Sequence, residues 1–124
     1  MNVINTHDAP QAVGPYSQAR IVNGLVFVSG QLPINPETGT IDTTDPVGQL
    51  RTCLANIDAI ARAAGADLSR VVKTTVLVTD LSVFADLNAA YGEHFTPPFP
   101  ARATYQVSAL PLGAQVEIEA IIAL

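Results

Sequence analysis

The sequence predicts an α+β fold in which two helices pack on one face of a mostly antiparallel or mixed sheet, in the order β-β-α-β-α-β-β. Three observations carry this. Apolar residues recur at helical spacing from Leu50 to Ala64. A β-branched run, Val71 to Val78, follows directly. Two further stretches, Ala101 to Ser108 and Gln115 to Ile122, alternate with the period of a strand. Helices and a sheet of these lengths bury their apolar faces most simply as two layers. The chain of 124 residues, with no repeat, linker or low-complexity tract, reads as one domain over residues 1–124.

The elements follow in order. Asn23-Gly24 is a strong hairpin-turn signal. It predicts one strand over Tyr16 to Val22 and its partner over Leu25 to Ser29. Residues Gly30 to Thr44 hold Pro33, Pro36 and Gly39 and read as loop. Asp45 caps the first helix, Pro46 takes its first position and Gly65 stops it. Its buried stripe is Leu50, Cys53, Leu54, Ile57, Ile60, Ala61 and Ala64. Cys53 on that stripe is a core residue, not a nucleophile. Asp80 caps a second helix with Leu81, Phe84, Leu87, Tyr91 and Phe95 in register, and Thr96-Pro97-Pro98 ends it. The Leu110-to-Gly113 turn joins the last two strands.

Composition bounds what the chain does. It is 48% hydrophobic, 14% charged and carries a net charge of −5. A small domain exposes much surface for its volume, so this apolar character predicts that copies of the chain cover one another. The six Lys and Arg residues are scattered, which argues against a nucleic-acid partner, since phosphates call for a basic stripe. A single cysteine excludes an internal disulfide, and no Cys/His cluster has zinc spacing. Neither a signal peptide nor an apolar run near the ~20 residues of a membrane span is visible, so a cytoplasmic, cofactor-free protein is expected.

The last two strands carry the candidate chemistry. Alternation puts Ala101, Ala103, Tyr105 and Val107 on one face and Arg102, Thr104, Gln106 and Ser108 on the other. On the final strand, Gln115, Glu117 and Glu119 share a face opposite Val116, Ile118 and Ala120. Two readings stand side by side. Arg102 and a glutamate form a cross-strand ion pair on a solvated face. Alternatively Arg102, entering from the stiff Pro97-Pro98-Phe99-Pro100 segment, grips a carboxylate with its planar fork while a glutamate activates water. Tyr16, aimed by Gly14-Pro15, is either a half-buried ring or a site residue. Gly30 in Ser29-Gly30-Gln31 lets backbone approach a ligand. Asn88 interrupts an apolar stripe, as a buried anchor or as a surface residue. His7, in an N-terminal segment expected to be mobile, and His94, near a helix C-terminus, receive no catalytic role.

These stretches resemble the RidA/YjgF family of reactive-intermediate deaminases. The matching segments are Gly14-Pro15-Tyr16-Ser17-Gln18-Ala19, Ser29-Gly30-Gln31-Leu32-Pro33, Val71-Val72-Lys73-Thr74-Thr75-Val76, Phe99-Pro100-Ala101-Arg102 and Val116-Glu117-Ile118-Glu119-Ala120. They run in order from about Pro15 to the C-terminus. The resemblance implies a homotrimer of chorismate-mutase-like subunits with three intersubunit clefts. It implies hydrolysis of imines and enamines, such as 2-aminoacrylate, 2-iminopropanoate and 2-iminobutanoate, to 2-oxo acids and ammonia. It assigns the substrate carboxylate to Arg102, the reacting water to Glu117, and the rest of the cleft to Tyr16, Ser29, Gly30 and Asn88. Many bacterial members have a cysteine where this chain has Thr104, so an activity that needs that thiol is not expected, whereas imine hydrolysis needs none. Two rival readings are a non-catalytic sensor of 2-oxo acids and, less favoured by the acidic composition, a ribonuclease or translation inhibitor, a label this family has also carried.

Overall fold

The computed structural model describes residues 2–124. Six strands form one sheet: β1 (Val3–Ile4), β2 (Ala19–Val22), β3 (Leu25–Gln31), β4 (Val71–Val78), β5 (Ala101–Gln106) and β6 (Val116–Ala123). Their spatial order is β1-β2-β3-β6-β4-β5. All pairs are antiparallel except β4 with β5, which is parallel and is bridged by α2. The helices are α1 (Pro46–Ala63) and α2 (Phe84–Glu93). The predicted α+β class and mixed sheet are what the structure has.

Local chemistry explains the boundaries. Asn23 and Gly24 both take left-handed backbone, φ 50° and 75°, which matches the twist of the β2–β3 hairpin. The Asp45 carboxylate accepts the Gly48 N–H at 2.9 Å and caps α1. Gly65, at φ 86°, terminates the helix. Leu50, Cys53, Leu54, Ile57 and Ile60 are buried against Val26, Val76, Val116, Ile118 and Ile122 of the sheet. Each such aliphatic side chain contributes about 1.5–3 kcal/mol on burial. Cys53 is part of this core, with its Sγ 3.7 Å from the Val116 carbonyl.

Four expectations are corrected. The strand predicted from Tyr16 begins only at Ala19, because the Gly14-Pro15 turn carries on: the Tyr16 N–H donates to the Gly14 carbonyl. A two-residue strand, β1, lies at the sheet edge and is too short to announce itself in the sequence. Asp80 caps a 3-10 turn over Leu81–Val83 rather than α2 itself. The segment around His7 was expected to be mobile, yet Thr6 and Pro10 on either side are hydrogen-bonded to the buried Gln18.

The register fixes which face each candidate occupies. Thr74 pairs with Arg102 on one side and with Ala120 on the other. Its hydroxyl meets the Tyr91 phenol of α2 at 2.7 Å, so this is the helix-covered face. Leu77 pairs with both Glu117 and Tyr105, one pleat out of phase, on the open face. Arg102 and Glu117 therefore emerge on opposite sides of the sheet, with β4 between their strands. The cross-strand ion pair that alternation alone allowed cannot form within one chain.

Candidate active site

On the open face the site is built around a break in β3. Val28 pairs with Ala120 and Gln31 with Ile118, so Ser29 and Gly30 together oppose Glu119. Such a bulge re-aims the strand and frees backbone from the ladder. A Cβ on Gly30 would lie 3.0 Å from the Glu117 Cδ and 3.1 Å from its Oε2. A side chain at this position would push the carboxylate back by a few tenths of an ångström, so the glycine lets it rest this close to the chain. The Ser29 hydroxyl donates to the Ser17 carbonyl at 2.5 Å. That bond ties the bulge to the segment that delivers Tyr16. The Tyr16 phenol accepts the Val13 N–H at 3.3 Å, and the side chain is 52% exposed.

These residues line a groove of about 850 Å³, with Val13, Leu112 and Glu119 completing its walls. Val13 is 85% exposed and Leu112 71%. Leu112 also holds a left-handed backbone, φ 59°. That conformation is costly for a side chain with a Cβ. Burial pushes the Glu117 carboxyl above its ordinary value, and the Glu119 charge adds to the shift. A carboxylate so placed is a stronger base than one in water.

On the helix-covered face, Arg102 projects from the edge strand β5 toward α2. Its Nη1 donates to the Asn88 Oδ1 at 2.7 Å. The guanidinium carbon lies 4.9 Å from the Tyr91 ring centroid and 5.4 Å from that of Phe84. Stacked and hydrogen-bonded, the planar group has a fixed orientation. No acid neutralises it: the ion pairs among the described residues are Arg51–Glu93 and Arg62–Asp58. Asn88 is thus the surface residue of the two alternatives, placed to orient the arginine. Thr104, two residues on, has its Oγ1 buried and unpartnered, alone in this among the described residues. It shares with Asn88 and Arg102 a void of about 10 Å³.

The candidates thus fall into two groups on opposite faces of the sheet. Tyr16, Ser29, Gly30 and Glu117 gather in the groove, and Asn88, Arg102 and Thr104 gather at the shelf on the other face. Sequence reasoning missed Phe84 and Tyr91 as the cradle of Arg102, because aromatic residues on a helical stripe read as core. It also missed Gln18, whose polar contacts no spacing rule reveals. Among the described residues no group of three or more His, Cys, Asp or Glu could hold a metal ion. None of the described helices is long and apolar enough to cross a membrane.

Residues 6–124 match the family model described as Endoribonuclease L-PSP. A RutC family protein, y4sK of Sinorhizobium fredii, is 62% identical over 98% of this chain and 96% of its own. The 2-iminobutanoate/2-iminopropanoate deaminase of Capra hircus is 47% identical over 96% of this chain and 87% of its own. The crystal structure of RidA from Psychrobacter superposes with a TM-score of 0.95 at 46% identity, covering all of both chains.

Proposed function

The chain belongs to the RidA/YjgF family, and from that premise we propose that it is a deaminase that hydrolyses 2-imino acids and their enamine tautomers to 2-oxo acids and ammonia. The substrates meant are 2-aminoacrylate, 2-iminopropanoate and 2-iminobutanoate. The observation that carries this reading is the state of Arg102. It is fixed by Asn88 and two rings and paired with no carboxylate, which readies it for one on a ligand.

In the proposed reaction Arg102 binds the substrate carboxylate and thereby sets the position of the imine carbon. Glu117 takes a proton from water as its oxygen attacks that carbon, giving a carbinolamine. The proton held by Glu117 passes to the amine nitrogen. Ammonia leaves as the carbinolamine hydroxyl gives its proton back to the Glu117 carboxylate and the carbonyl forms; Glu117 then releases that proton to the departing ammonia or to water. One water is consumed and one ammonia released, with no redox change. Water hydrolyses these imines unaided, so the acceleration required is modest, and general-base help of about 10²- to 10⁴-fold with an oriented substrate is enough.

Because Arg102 and Glu117 lie on opposite faces of one sheet, the reading requires the groove of one subunit to meet the shelf of the next. A heterologous interface repeated three times closes into a ring, a homotrimer with three shared sites. The expected mass by light scattering is three times 13.0 kDa. The decisive experiment mixes two inactive variants. Arg102→Ala and Glu117→Gln, co-refolded in equal amounts, regenerate one intact site wherever the right halves meet. Ammonia release should return to about a quarter of the wild-type rate, the random-mixing share for a heterologous ring. No recovery would place both residues in one subunit's site and sink the shared cleft.

The 2-oxo acid sensor remains the second reading, favoured by the same unpaired Arg102, which would bind a carboxylate whether or not turnover follows. It predicts binding of 2-oxobutanoate without ammonia release from an imine generated in place by an amino-acid oxidase. Ribonuclease activity has less support, since Arg51 and Arg62 are already neutralised by Glu93 and Asp58.

A further inference from the structure

Gln18 follows the site tyrosine by two residues and is 3% exposed, yet its side chain serves the backbone of a distant segment. Its Oε1 accepts the Thr6 N–H at 2.7 Å. Its Nε2 donates to the carbonyls of Thr6 at 3.0 Å and Pro10 at 2.8 Å, with Ala9 at 3.4 Å sharing the same hydrogens. One buried amide thus replaces the strand partner that residues 6–10 lack. The Gln11 side chain also returns to the Thr6 carbonyl, at 2.8 Å. Beyond this clasp the chain runs through Val13 into Gly14, whose φ of 125° only glycine adopts without strain. Pro10, Gln11 and Val13 form one wall of the groove that holds Glu117. The same residue also holds Ser29, another lining residue of the groove, through its backbone, because the Gln18 carbonyl accepts the Ser29 N–H at 2.9 Å.

We infer that Gln18 is a positioning residue that clasps the strap of residues 6–13 to the Ser29-Gly30 bulge and so sets the width of the groove for substrate. Gln18 borders the groove, but it is almost fully buried and its amide's donors and acceptor are all engaged by backbone, so it acts through the strap and not as a group offered to the reacting atoms. Glutamine suits the task because the strap presents both a donor and several acceptors to one point. A glutamate would turn a carboxylate toward three carbonyl oxygens, and a methionine of similar length would leave every partner unmet.

The inference rests on the deaminase reading, and its test separates the two. Gln18→Met is compared with wild type in three measurements: imine turnover, calorimetric binding of 2-oxobutanoate, and amide hydrogen exchange. Exchange at Thr6 should speed by about tenfold or more while Val26 and Ile118 in the sheet stay protected. KM and the 2-oxobutanoate Kd should both rise about tenfold, with kcat within about threefold, because Glu117 and its glycine seat are unchanged. A freed strap with unchanged KM and Kd would overturn the inference, as would a loss confined to kcat. Should Gln18→Met fail to fold, Gln18→Glu, which keeps the acceptor for Thr6, is read in the same way. If wild type binds 2-oxobutanoate without turnover, the deaminase reading falls and the Kd comparison alone decides on Gln18. If wild type binds none, both fall.

Discussion

The Glu117 groove and the Arg102 shelf are prepared by opposite means. Glu117 gains its place from backbone, a strand bulge and a glycine with no Cβ in the way, and its character from burial, with the Glu119 charge adding to it, which makes its charged form less comfortable. Arg102 gains its character from side chains: an amide and two aromatic faces hold its charge in one orientation with no anion on it. One half is a base whose appetite for a proton has been raised. The other is a cation whose need for a carboxylate has been left unmet. Under the proposed reaction, a substrate carrying a carboxylate beside a carbon that water attacks would use both halves.

The largest expected effect comes from the groove. Glu117→Gln keeps the shape and removes the base, so kcat for imine hydrolysis should fall by about 10²-fold or more. Binding of 2-oxobutanoate should persist, with one anion fewer beside it. In wild type the activity should fall on acidification through a pKa lying above the ordinary glutamate value of 4.5, since burial raises it. The stability sign follows from the same shift. A glutamate whose folded pKa is raised costs stability once ionised, a cost absent below the unfolded pKa and complete above the folded one. Glu117→Gln should therefore match wild type in acid and equal or exceed its stability at neutral pH. A variant that lost stability at neutral pH and kept its kcat would make Glu117 structural.

At the shelf the effect should be on binding. Arg102→Lys preserves charge but loses the planar fork and its stacking on Tyr91 and Phe84. The affinity for 2-oxobutanoate should weaken by about 2 kcal/mol. Thermal stability should barely move, since Arg102 is exposed and closes no ion pair. Equal, small losses in both variants would erase the contrast between the halves.

Much of this layout was legible beforehand, and the parts that were not have a common cause. Periodicity found α1, its Asp45 cap and the Asn23-Gly24 hairpin, because each is decided within a few residues. Alternation also sorted Arg102 from Ala101 and Glu117 from Val116 correctly. It could not say which face of β5 corresponds to which face of β6, because that depends on β4 entering between them with a parallel partner on one side and an antiparallel one on the other. The separation of Arg102 from Glu117 is thus a property of strand order. Likewise Gln18 and Thr6 are twelve residues apart and meet only through the tertiary path of the strap.

A smaller effect is expected at Cys53, which lies in the core close enough for Glu117 to act on its thiol electrostatically. Burial, then the Glu117 charge, pushes that thiol far above its ordinary value, so it is neutral at every working pH. Cys53→Ser should cost roughly 1–3 kcal/mol by placing a hydroxyl in an apolar site. Activity per folded molecule should stay within a few-fold. A folded Cys53→Ser protein without activity would put the chemistry on the thiol and dissolve the two-half account.

The smallest change tests whether the shelf carries a cost for function. Thr104 and valine have nearly the same shape, so Thr104→Val removes a hydroxyl and little else. In the free protein that hydroxyl is buried without a partner, and the void beside it, about 10 Å³, has room for one water at most. An unsatisfied buried hydroxyl is a penalty, so its removal should leave stability unchanged or raise it by up to about 1 kcal/mol. Threonine in a well-satisfied structural role predicts the opposite sign. If the hydroxyl is kept for the ligand side of the shelf, affinity for 2-oxobutanoate should fall a few-fold in the same variant, and Thr104→Ser should restore it. Thermal melts and calorimetry on the two variants give both signs at once. A Thr104→Val protein that is less stable and binds normally would show that the hydroxyl has a partner in the assembled protein and that recognition at the shelf ends with Arg102 and Asn88.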